Sequence, residues 1–190
     1  MQKINDWDNV QAAGEFERLE LGGHVCKIFK AEETTTSKGS RALKLYFDIS
    51  DGKQAGYFKK SFDGSTYADK KWPMGGTYMQ LTEGKSASFF KGMITAIEKS
   101  NNGYKWAWDE STLKGKLFGG VFGREQYRNT STGELKFSTK CMQIRSTEGI
   151  QDVPAPEDKL IKESSGGYAS APLNSQFAPL DDDDGPLPWD

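Results

Sequence analysis

SASFFKGMITAIEKS, residues Ser86–Ser100, breaks the pattern of the chain around it. Phe90, Met93, Ile94 and Ile97 recur at helical spacing and make one apolar stripe. Ser86 or Ser88 can cap the start, and Asn101-Asn102-Gly103 gives a stop signal. On either side the period is short. Upstream, Arg41–Ser50 alternates most cleanly, with Leu43, Leu45, Phe47 and Ile49 on one face and Ala42, Lys44, Tyr46 and Asp48 on the other. Before it, Phe16–Leu21 and His24–Ala31 read as two strands broken at Gly22-Gly23, or as one strand kinked there, followed by a polar loop at Glu32–Ser40. After the Asp51-Gly52 turn, Tyr57–Phe62 reads as a third strand and Asp63–Gly76 as a loop. Downstream of the helix come an aromatic connector (Tyr104–Thr112), a strand with internal glycines (Lys116–Tyr127), a turn (Asn129–Gly133) and a last strand (Leu135–Arg145).

The order is strand, strand, strand, helix, strand, strand. A small helix between strands three and four of five is the layout of the OB-fold, so the expectation is a mainly β protein with a five-stranded OB-fold-like barrel. The loops Glu32–Ser40 and Asn129–Gly133 then flank the groove in which OB-folds hold nucleic acid. Gly119, Gly120 and Gly123 suit a barrel strand that must bend. Aromatics make up 12% of the 190 residues, and large rings can fill the interior of a small barrel with few side chains.

Past Gln151 the character changes. Pro154–Glu163 can form a short helix, Ser164–Pro179 has the composition of a linker, and the chain finishes DDDDGPLPWD. Four adjacent carboxylates repel one another, and Gly185, Pro186 and Pro188 oppose regular structure, so Trp189 is expected on a flexible acidic arm. The charge divides accordingly. Residues 151–190 carry nine acids and two bases, a net of −7, while residues 1–150 carry 23 bases and 18 acids, a net of +5. The overall −2 hides a basic body with an acidic appendage, and a basic body suggests an anionic ligand. Three segments result: a nucleic-acid-binding domain over 1–150, a short helix and linker over 151–180, and a protein-interaction tip over 181–190.

Catalysis finds little support. His24 is the one histidine, Cys26 and Cys141 read as buried reduced thiols, and GGVFG at Gly119–Gly123 is followed by no phosphate-cradling helix. The reading is a protein that is not an enzyme and takes no cofactor or metal. No apolar run approaches bilayer length, and MQKINDWDNV has no apolar leader, so no membrane role and a cytoplasmic location are expected.

Lysines interleaved with rings suit single-stranded nucleic acid, where cations follow the phosphates and bases stack on aromatic faces at roughly 1–3 kcal/mol each. The candidates are Lys44 and Tyr46 on strand two; Tyr57, Lys59 and Lys60 on strand three; and Lys70, Lys71 and Trp72 in the following loop. Strand four offers Lys116, Phe118, Phe122, Arg124 and, past its end, Arg128; strand five offers Lys136 and Lys140. Phe118 and Phe122 fit the core equally well, and strand lysines can be an ordinary solvated face. Trp106 and Trp108 read as packing residues.

A basic, aromatic OB-like body, a polar linker and an acidic tip with Pro188-Trp189 together resemble bacterial and phage single-stranded-DNA-binding proteins. GGHVCKIFKAEETTTSKGSRALKLYFDISDG and FGREQYRNTSTGELKFSTKCMQIRS are similar to phage and mobile-element proteins to which that role is ascribed. The resemblance implies binding of single-stranded DNA in replication or recombination. It also implies that Asp181, Asp182, Asp183, Asp184, Pro188 and Trp189 recruit replication or recombination proteins or compete with DNA. Here Asp190 follows the aromatic, whereas the bacterial tip ends on it. Two rival readings are an aromatic-rich β module that stacks sugars on Trp72, Trp106 and Trp108, and an adaptor that binds no DNA.

Overall fold

The computed structural model describes residues 18–65 and 69–161. Among these, five strands form one antiparallel sheet: β1 (Gly22–Thr35), β2 (Arg41–Ile49), β3 (Thr77–Leu81), β4 (Leu117–Arg128) and β5 (Leu135–Arg145). Their spatial order is β3-β2-β1-β4-β5. Two helices, α1 (Tyr57–Asp63) and α2 (Ala87–Ser100), lie between β2 and β3 and between β3 and β4. The fold is therefore mainly β, with a helix between the third and fourth strands. The sheet is open, with β3 and β5 as its edges, so the expected closed barrel is not formed. The 3-10 turn Met74–Gly76 lies against β5 and leaves a seam beside β3.

The inner face follows the alternation of the strands. Cys26 and Ile28 of β1, Leu43, Leu45, Phe47 and Ile49 of β2, and Phe118 and Phe122 of β4 are buried in one cluster. Helix α2 covers one end of it with Phe90, Met93, Ile94 and Ile97, as its apolar stripe requires. Burying a side chain of this size contributes about 1.5–3 kcal/mol. Gly120 is needed where the core is tightest. A Cβ there would sit 3.0 Å from the Cys26 sulfur and 3.3 Å from the Cys141 sulfur. Burial pushes both thiols up, Cys141 to about 12, so they stay protonated.

Several expectations are corrected. Tyr57–Phe62 forms α1, not a strand. Gly56, at φ 73°, turns the chain out of β2. The Asp48 carboxylate then accepts hydrogen bonds from the backbone N–H groups of Phe58 and Lys59, both at 2.9 Å, and satisfies the helix start. Phe58 enters the core while Lys59 and Lys60 stay exposed. The third strand is Thr77–Leu81, whose place comes from pairing with Ala42–Tyr46 of β2. Strand β1 runs on to Thr35, so the loop shrinks to a tight turn closed by Thr36 N–H donating to the Ser40 carbonyl at 2.9 Å. At the other end β1 starts at Gly22, and residues 18–21 are outside any strand.

The helix expected from Pro154 is absent over its described part, residues 154–161. Residues 153–161 are an extended strap. β1 pairs with β4 only as far as Phe122, which leaves the next residues of β4 without a partner on that side. The strap fills the gap: Lys159 N–H donates to the Arg124 carbonyl at 2.9 Å, and Gln126 N–H donates to the Lys159 carbonyl at 2.8 Å. The glycines of β4 answer to this packing as well, because a Cβ on Gly123 would run into Pro156 of the strap. The acidic arm and the linker lie outside the described residues. No helix among the described residues is long and apolar enough to cross a membrane.

Candidate nucleic-acid interface

The outward face of β1 and β2 is built by antiparallel register. Lys30 stands opposite Tyr46, Glu32 opposite Lys44, and Lys27 opposite Asp48. Residues directly opposite share a face, so rings and cations converge here. The Tyr46 hydroxyl donates to Glu32 at 2.5 Å, and the Lys30 ammonium donates to the other Glu32 oxygen at 2.5 Å. Lys30 and Lys44 ammoniums lie 5.0 and 4.9 Å from the Tyr46 ring centre, within cation–π range. Burial and the Glu32 bond push the phenol up to about 12. Hydrogen bonds from Lys30 and Tyr46 hold the Glu32 carboxyl below its ordinary value. Tyr46 is thus a neutral ring held in place by its hydroxyl.

The pairing of β1 with β2 shifts register between Ile28 and Lys30, and Phe29 sits in that bulge. Its ring is 38% exposed, lies 4.5 Å from Trp72 centre to centre, and is 6.2 Å from Tyr46. Trp72 donates its indole N–H to the Gly76 carbonyl at 3.0 Å and packs 5.7 Å from Phe62. Phe29, Phe62 and Trp72 wall a groove of about 590 Å³, with Lys27, Lys59 and Lys114 around it. Lys44 leads from Tyr46 into a second cleft of about 250 Å³ at the seam between β3 and β5. There Glu125 bridges Lys140 at 2.6 Å and Lys159 at 2.9 Å. Burial raises the Glu125 carboxyl, but the bonds from the two lysines outweigh it and hold the group below its ordinary value. Beyond the cleft, the β4–β5 hairpin carries Tyr127 opposite Lys136.

The structure sorts the candidates read from sequence. Lys59 and Trp72 line the groove, Lys44 and Lys140 line the seam cleft, and Tyr46 contacts Phe29 of the groove and Lys44 of the cleft. Lys60 and Lys71 are exposed nearby in the chain, and Lys70 donates to the Asp63 carbonyl at 2.9 Å. Lys136 lies on the hairpin arm, and Arg128 there donates to the Gly133 carbonyl at 2.8 Å. Lys116 sits apart, 4.4 Å over the Tyr104 ring. Two assignments are corrected. Phe118 and Phe122 are fully buried, edge-on to Phe47, and offer no face to a base. Tyr57 is partly buried against the core, edge-on to Phe58. Arg124 is engaged with both carboxylate oxygens of Asp158 in the strap, at 2.8 and 2.5 Å. The positions Asp181–Asp184, Pro188 and Trp189 lie outside the described residues.

Lys27, Phe29, Lys30, Phe62, Lys114 and Lys159 were not foreseen. The first two had a signal. In Cys26-Lys27-Ile28-Phe29 the alternation sends Cys26 and Ile28 inward and Lys27 and Phe29 outward, whereas Lys30 reaches that face only through the bulge. No group of three or more His, Cys, Asp or Glu side chains among the described residues is arranged to hold a metal ion.

No protein-family model matches this chain, and no curated protein does. The site's own chemistry therefore carries the functional argument.

Proposed function

We propose that this chain binds single-stranded DNA along the outward face of β1 and β2, in a variant of the OB-fold whose barrel is left open at the β3–β5 seam. The observation that carries this is the Phe29–Trp72 ring pair, with Phe29 exposed and Trp72 half-buried, beside a tyrosine set between two lysines. Bases would stack on Phe29, Trp72 and Tyr46, while Lys27, Lys30, Lys44 and Lys59 follow the phosphates. Binding of this kind tolerates any sequence, because every base has a stacking face. The acidic stretch Asp181–Asp184 with Pro188 and Trp189 would recruit replication or recombination proteins, and no bond is made or broken by this chain.

The test is quenching of tryptophan emission by a short oligo-dT, repeated at several salt concentrations. Each phosphate contact contributes about −0.7 to the slope of log affinity against log salt for single strands. Three or more lysine contacts give a slope of about −2 or steeper. A flat salt response, or no quenching, contradicts the proposal. A glycan titration under the same conditions separates it from the sugar-stacking alternative.

A further inference from the structure

The groove and the seam cleft differ in charge. Lys27, Lys59 and Lys114 share the groove with Asp48 and Asp63, which leaves a net charge of +1 among its described lining residues. Lys44, Lys140 and Lys159 share the cleft with one described carboxylate, Glu125, which leaves +2. Burial raises the Glu125 carboxyl, the bonds from Lys140 and Lys159 outweigh it, and the group is ionised at neutral pH. Burial pushes the Tyr78 phenol and the Cys141 thiol up to about 12, so both stay neutral. Glu125 also fixes two of the cations, Lys140 at 2.6 Å and Lys159 at 2.9 Å. The Glu125 side chain is 25% exposed and that of Lys140 30%, so solvent and salt screen these charges less than on an open face. Each ammonium carries three protons, so N–H groups remain for a further acceptor. Met79 and Met142 line the same cleft, whose volume of about 250 Å³ is less than half the 590 Å³ of the groove.

We infer that the seam cleft is a site for a phosphomonoester, the group carried by a phosphorylated strand end or by a free mononucleotide. The first of these sources rests on the single-strand reading given above, and the second does not. A phosphodiester inside a strand carries one negative charge, which the groove already balances. A phosphomonoester carries about −1.5 to −2 at pH 7, with a second pKa near 6, and presents three strong acceptor oxygens. That charge matches the cleft and exceeds the groove. Lysines meet phosphate as point charges, so three of them around one small cleft need no fixed fork geometry. The methionines offer the attached sugar and base an apolar surface that adapts to either. A strand whose end sits here would run past Lys44 to the Tyr46 ring, since the Lys44 ammonium reaches both.

The experiment has two arms, both on the full chain. The strand arm measures fluorescence anisotropy of internally labelled oligo-dT of one length, with hydroxyls at both ends, with a phosphate on the first nucleotide, or with one on the last. A hydroxyl-ended strand one nucleotide longer controls for added charge. One phosphorylated strand should bind about three- to tenfold tighter than either hydroxyl-ended strand near neutral pH. The preference should shrink to about twofold or less near pH 5, where the phosphomonoester keeps its second proton. The nucleotide arm follows the Met79 and Met142 methyl signals by NMR. Thymidine monophosphate should shift them and thymidine should not. Lys140→Met should abolish both differences, and Lys159→Met is the parallel variant should Lys140→Met fold poorly. Methyl shifts from the monophosphate with no preference among strands assign the cleft to free nucleotides and keep the site. Such shifts without binding of any strand remove the single-strand reading and leave the site standing. Equal binding of all strands, together with equal shifts from thymidine and its monophosphate, overturns the inference. A phosphate preference that survives both lysine variants overturns it as well.

Discussion

Tyr46 and Phe47 are adjacent in β2 and point to opposite faces of the sheet. Phe47 meets Phe118 at 5.1 Å, Phe58 at 6.0 Å and Phe122 at 6.2 Å, each at a steep angle, in a core without charge. Tyr46 meets Phe29, two lysines and a glutamate. The same residue class thus forms two clusters, and what separates them is what surrounds the rings. Inward rings are closed in by one another and by aliphatic side chains and hold the sheet together. Outward rings keep one side open and are bordered by cations, the arrangement that suits an anionic, flat-faced ligand. Aromatic content by itself says little about function, whereas the parity of each ring along its strand says a great deal.

The contrast can be broken by deleting rings from each side. Phe122→Ala should lower folding stability by about 3–5 kcal/mol, as expected for a buried ring that leaves a cavity; urea unfolding measures it. Phe29→Ala should do the reverse. It should cost roughly 1–3 kcal/mol of single-strand affinity, the range for one lost stacked base, with an unfolding midpoint close to that of the unaltered chain. If Phe29→Ala destabilises as much as Phe122→Ala, the outer cluster is structural. A smaller effect is expected from Asp158→Asn, which frees Arg124. Affinity should rise and the salt slope should steepen by about 0.7, one added phosphate contact. Weaker binding would mean that the strap itself forms part of the interface.

The smallest effect concerns pH. Glu125 and Glu32 both have carboxyls held below their ordinary value of 4.5 by lysine hydrogen bonds. A depressed carboxylate favours the folded state fully above the unfolded value, and that contribution fades as pH falls through the folded one. Thermal melts taken from neutral pH to below 4.5 should therefore show a loss confined to the acid end, and Glu125→Gln should flatten it. Both pairs are partly exposed, so the change should be modest. A loss beginning near neutral pH would point to a different group.

The alternation of β2 and the stripe of α2 were legible because each element carries its own period. The cap of α1 was not, since Asp48 lies ten residues before Phe58 and acts across a turn. Strand β3 was hidden for a related reason. Tyr78 and Gln80 turn toward the inside while Thr77 and Met79 turn out, so its sequence shows no apolar alternation. In β4, Phe118 and Phe122 could not be assigned to a face because both faces are covered. Val121 is as deeply buried as its neighbours, with the strap packing over that stretch of the strand. Lys44 and Tyr46 were read directly from alternation. Their joining to Phe29 and Trp72 needed the bulge in β1 and the turn at Met74–Gly76, neither of which has a sequence period.

The central claim is about place: a single strand lies on the outward rings. Backbone amide shifts of the isotope-labelled chain, followed by NMR as a short oligo-dT is added, test it directly. The account predicts the largest changes at Phe29, Lys30, Lys44, Tyr46 and Trp72, with Phe90 and Ile97 of α2 unmoved. Changes centred on α2 and Trp108, or none at all, would contradict it.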